Sequence, residues 1–91
     1  MNLTLRPFAV QLGEGIDPAL AHYAQVAFAR LPEADAPTHL RVITDHDPAN
    51  PRPIRARVLL PRQGSATAVA ASPREAVDEL VDRLLASAGA S

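Results

Sequence analysis

The chain has 91 residues, enough for one modest core and not for two, and carries nine arginines, no lysine and ten acidic residues, a net charge of −1. Of its 43 hydrophobic residues 18 are alanine, and two Phe and one Tyr supply the only aromatic bulk, so the expected core is small. Cysteine is absent, which excludes disulfides and thiolate metal sites, and no apolar run nears the roughly 20 residues that span a bilayer.

Asn2 to Arg6 alternates polar and apolar, as a half-buried strand does, and Phe8, Val10 and Leu12 continue the alternation towards a turn at Gly13-Glu14-Gly15. Pro7, which lacks a ladder donor, ends the first run or marks an edge. MNLTLRPF has no apolar block of the signal-peptide kind, so a soluble cytoplasmic protein is expected. Asp17-Pro18 opens a helix, with Asp as N-cap and Pro at the first helical position. On a 3.6-residue period Leu20, Tyr23, Ala24, Ala27, Phe28 and Leu31 share one face, while His22, Gln25 and Ala29 point away. Pro32 stops this helix.

Thr38 to Thr44 reads as a strand with Leu40 and Val42 inward and His39, Arg41 and Ile43 outward. Asp45 to Pro51 is a turn or loop by composition. Ile54 to Leu60 is a third strand: Ile54, Ala56, Val58 and Leu60 face in, Arg55, Arg57 and Leu59 face out. Arg62-Gln63-Gly64 forms a hairpin turn, and Ser65 to Ala71 a weak, alanine-rich fourth strand. Ser72-Pro73-Arg74-Glu75 is a capping box, followed by a helix with Val77, Leu80, Val81, Leu84 and Leu85 on one stripe and Gly89 at its end. The order β-α-β-β-β-α implies a single α+β domain over residues 1–91, a four-stranded sheet with both helices on one face. The other face would be open to water.

Charge is segregated. PRPIRARVLLPRQG, residues 51–64, holds Arg52, Arg55, Arg57 and Arg62 with no acid, whereas residues 9–47 balance at −4 and residues 72–91 at −2. Arg55 and Arg57, two apart on a strand, share a side of the sheet, and Arg41 and His39 join them if the second and third strands pair as a hairpin. Arg6 is a further candidate. Such a surface suits phosphates, whose attraction is salt-sensitive and sequence-independent. It equally suits a strand face kept wet for solubility. No aromatic residue is interleaved to stack a base, which argues against an aromatic single-strand platform.

Catalytic constellations are scarce. Asp45-His46-Asp47 are adjacent and cannot all converge on a metal, and the prolines after them favour a turn. Gly13-Glu14-Gly15 lacks the third glycine and the following basic residue of a phosphate loop. The sequence therefore points to no enzyme, metal or cofactor.

The element order, with Phe28-Ala29-Arg30-Leu31 ending the first helix and Ala76-Val77-Asp78-Glu79-Leu80-Val81-Asp82-Arg83-Leu84 in the second, resembles the ribosome hibernation-promoting factor family. That family includes the ribosome-associated translation inhibitor, and the resemblance runs from Met1-Asn2-Leu3-Thr4-Leu5 across nearly the whole chain, as a short, divergent form. It implies a fold like a double-stranded-RNA-binding domain, and a partner in the RNA of the small ribosomal subunit, with translation silenced in stationary phase or stress. By position, Arg30 and Arg83 match basic residues of the family, whereas Ala27 and Ala86 stand where it usually has Lys or Arg, and Arg74 where a Tyr is common. The implied RNA contacts are Arg30 and Arg83, together with the cluster Arg41, Arg55, Arg57 and Arg62. The competing reading is a non-catalytic protein-binding module on the same fold, including a weak homodimer through strand edges or the alanine-rich fourth strand. One continuous positive face favours RNA, and arginines paired off with Asp45, Asp47 or Glu33 favour the module.

Overall fold

The computed structural model describes residues 8–32, 36–61 and 64–89. It contains β1 (Ala9–Leu12), α1 (Ala19–Phe28), β2 (His39–Thr44), β3 (Ile54–Leu60), β4 (Gly64–Ala70) and α2 (Pro73–Gly89). The expected strand at Asn2–Arg6 lies outside the described residues, and β1 is the second run of that alternation. The four strands form one sheet in the order β1-β2-β3-β4. β1 runs parallel to β2, while β2–β3 and β3–β4 are antiparallel. A parallel neighbour cannot be reached by a tight turn, and α1 supplies the crossover.

Period-two burial fixes which way the sheet faces. β3 alternates without a break, with Ile54, Ala56, Val58 and Leu60 buried and Arg55, Arg57 and Leu59 exposed. The inward residues of β2, β3 and β4 join Leu20, Ala24 and Phe28 of α1 and Ala76, Val77, Leu80, Val81 and Leu84 of α2 in one core. Both helices therefore cover the same face, as the single apolar stripe on each requires. Alanine fills much of the contact: Ala24, Ala56, Ala68, Ala70 and Ala76 are all buried, and the bulk falls to a few residues such as Leu40 and Leu80. Phe8 packs edge-on against Phe28, ring centroids 5.6 Å apart.

The helix ends differ in part from their sequence signals. Asp17 Oδ1 accepts the Ala19 N–H at 2.9 Å and holds the first turn, with Pro18 already in helical conformation. α1 then closes at Phe28 rather than at Pro32, so Arg30 lies in the turn after the helix instead of on its last residues. Gln25 is half-buried rather than pointing away, because its Nε2 donates to the Phe8 carbonyl at 3.0 Å and ties α1 to the residue before β1. α2 opens as its capping box requires, Ser72 Oγ accepting the Glu75 N–H at 3.3 Å. Ser72→Ala should lower stability by about 1 kcal/mol, read as a shift of the urea midpoint at unchanged slope. Gly64 opens β4 with φ +78°, a left-handed conformation that a glycine adopts without steric cost.

Tyr23 of α1 makes two contacts with α2. The Tyr23 hydroxyl donates to Asp78 Oδ1, and the Arg74 guanidinium lies 5.1 Å from the Tyr23 ring centroid. The hydrogen bond to Asp78 holds the Tyr23 hydroxyl above its ordinary pKa.

Candidate functional site

The strand segments carry no acidic residue at all; their ionisable groups are His39, Arg41, Arg55 and Arg57. All four are exposed, on the sheet face that the helices leave uncovered. Strand register converts this sequence pattern into a cluster. Arg41 lies directly opposite Arg57, and Ile43 opposite Arg55, so Arg55 is the diagonal neighbour of Arg41. His39, opposite Leu59, is the diagonal neighbour of Arg57. Direct partners have Cβ atoms about 5 Å apart and diagonal ones roughly 7–8 Å.

Neutral donors complete the row. Gln11 of β1 stands beside Arg41, and Thr67 of β4 beside Arg57, giving Gln11-Arg41-Arg57-Thr67 across all four strands. Arg57 Nη2 reaches Ser65 Oγ at 3.5 Å, the outer limit of a hydrogen bond. Gln11, His39, Leu40, Arg41, Arg57 and Leu59 line a shallow depression of about 270 Å³. Among the described residues no carboxylate is ion-paired with Arg41, Arg55 or Arg57. Like charges directly opposite each other on a sheet are unfavourable, so the Arg41–Arg57 pair is a cost to the free protein that a bound anion would relieve.

Asp45, whose carboxyl feels the Arg55 charge, is hydrogen-bonded elsewhere. Asp45 Oδ2 accepts from Asn50 Nδ2 at 2.8 Å and Oδ1 from the Asp47 N–H at 3.1 Å, and Asp47 Oδ1 in turn accepts the Ala49 N–H. These bonds, with a smaller contribution from the Arg55 charge, hold the Asp45 carboxyl below the usual carboxylate range. Asp45-His46-Asp47 is accordingly a hydrogen-bonded turn, in which the carboxylates close the backbone.

The six arginines singled out in the sequence do not converge. Arg41, Arg55 and Arg57 share the open face. Arg83 is engaged at the side of the helical layer, where Nη1 donates to the Thr67 carbonyl at 2.7 Å and Nη2 to Glu79 Oε1 at 2.9 Å. Arg30 is exposed beyond α1, near enough to Tyr23 for its charge to act on that hydroxyl, and so belongs to the helical side. Arg62 and Arg6 lie outside the described residues. Arg52, from the same basic stretch, lines a groove with Val69, Glu75 and Glu79 at the other side of β4. Gln11, Ser65 and Thr67 also belong to this face, and being uncharged they do not stand out in the sequence. Ser65 and Thr67 follow from continuing the outward alternation of β3 across its hairpin; Gln11 needed the parallel β1–β2 register, which no local signal carries.

Those positions leave a donor-rich surface able to bind a polyanion along its backbone. No family model matches the chain, and no curated protein matches it.

Proposed function

We propose that the protein binds RNA through the open face of its sheet, and that this RNA belongs to the small ribosomal subunit, whose occupation would silence translation under stress or in stationary phase. The observation that carries the reading is the cross-strand pair Arg41–Arg57 with Arg55 at its diagonal, set on a sheet without a single acidic residue. Guanidinium groups are weakly hydrated, planar donors suited to phosphate oxygens, and no aromatic side chain stands among them to read a base. Recognition is then of the sugar-phosphate backbone. The ribosomal partner and the translational role come from the family resemblance carried by the element order and the two helix motifs.

The two large exposed apolar residues of the face stand apart, which speaks for the RNA reading over a protein-docking patch. Leu59 and Val69 are 41% and 38% exposed, but they sit in different cross-strand rows, with the row of Arg57 and Thr67 between them. Cosedimentation with small ribosomal subunits tests the reading. Binding at low salt should weaken by roughly 20- to 60-fold between 50 and 200 mM salt, the slope of about three released counterions. Absence of cosedimentation at 50 mM salt would reject the ribosomal partner, and binding that ignores salt would reject the arginine face.

A further inference from the structure

β4 is an outer strand, so half of its peptide groups have no strand beside them. The ladder fixes which half. The Asp45 N–H donates to the Pro53 carbonyl at 2.6 Å, so the odd-numbered peptide groups of β3 point at β2. The even-numbered ones bond β4 at Ala70, Ala68, Ala66 and Gly64. Ser65, Thr67 and Val69 are left directing both N–H and C=O outward. Thr67 is the middle of the three, and Arg83 of α2 occupies its carbonyl while Glu79 holds the other arm of the guanidinium. A helix side chain thus lies across the centre of the edge.

β4 has no other defence. Its sequence, GSATAVA, contains no charge and no proline, and its register with β3 is continuous. Along β4 itself, a second copy laid antiparallel about a two-fold axis at Thr67 would meet no charged and no large side chain; the charge at the axis is that of Arg83. Such a copy would place Ser65 opposite Val69 and keep the alanines of both copies on the helical side. The new ladder would need the Thr67 carbonyl, the atom that Arg83 holds. We infer that Arg83 is the gatekeeper of a latent homodimer edge: it keeps the chain monomeric by occupying the Thr67 carbonyl, and a second copy pairs with β4 once the guanidinium is gone.

This inference uses none of the arginines of the open face and stands or falls apart from RNA binding. Sedimentation equilibrium of wild type and Arg83→Ala, with amide exchange on both, tests it. Wild type should be monomeric. Arg83→Ala should reach twice the mass, with a self-association constant at least tenfold higher, and the amides of Ser65, Thr67 and Val69 should gain protection. Adding Thr67→Pro should restore the monomer, because that N–H faces outward and its loss removes no β3–β4 bond. Should the double variant fail to fold, the exchange pattern of Arg83→Ala decides alone. An Arg83→Ala protein that stays monomeric with native circular dichroism overturns the inference. So does a wild type already paired through β4, or association that leaves those three amides exchanging as in wild type.

Discussion

Replacing Arg55 and Arg57 together by glutamate should abolish binding to small ribosomal subunits, with a loss of at least about 100-fold at 50 mM salt. The double change turns a strand face with three guanidinium groups into one bearing two carboxylates and a single guanidinium at Arg41. Phosphates would then meet repulsion where they met attraction. Folding should not suffer, since both side chains are exposed and make no ion pair with a described residue. Glutamate at 57 would in fact stand opposite Arg41, exchanging a like-charge cross-strand pair for an opposite one. The expected signature is binding lost while the denaturation midpoint holds or rises. Arg52→Glu is the control: it lies in the same basic stretch but off the face, and should change binding by less than about threefold. Retained binding in the double variant, or equal losses in the control, would remove the sheet face as the site.

The second large effect concerns the core. Leu40→Ala should cost about 3 kcal/mol and lower Tm by roughly 12–24 °C, measured by thermal circular dichroism. Leu40 is 1% exposed and, with Leu80, is one of the two largest fully buried side chains among the described residues. Leu40 stands between Val10 and Val58 in its cross-strand row, and these β-branched side chains, stiff at χ1, move little into the cavity that its truncation leaves. A domain of this size has little reserve, with total stabilities of about 5–15 kcal/mol in general. A Tm change under 5 °C would mean that the alanine-rich layer relaxes more than its packing implies.

Much of the fold was legible because each strand and helix has one wet side. The unbroken alternation of β3 and the stripe from Val77 to Leu84 each name their buried face, and Ser72 with Glu75 marks where α2 begins. Asp17 and Gly64 gave the turns. The sheet order was not legible, since pairing of β1 with β2 depends on how α1 packs and not on any residue in either strand. The candidate site divides along the same line. Arg55 and Arg57 were visible from spacing alone, whereas the opposition of Arg41 to Arg57 needed register, and the engagement of Arg83 with Thr67 needed the helix laid beside the sheet. Gln25 misled the helical wheel because its amide serves the backbone of Phe8, which the period cannot anticipate.

The absence of acids from the strands reaches beyond the contact itself. α2 sets Glu75, Asp78, Glu79 and Asp82 against Arg74 and Arg83, a balance of −2, while the strands carry the arginine trio, so α2 and the sheet bear opposite signs, and screening over about 10 Å at 0.1 M salt keeps one from cancelling the other. A molecule so divided is a compass needle: an approaching polyanion exerts a torque that swings the sheet forward before touch. On the RNA-binding reading proposed above, the net negative α2 would disfavour a second strand at the back, and the protein would coat one backbone without cross-linking two.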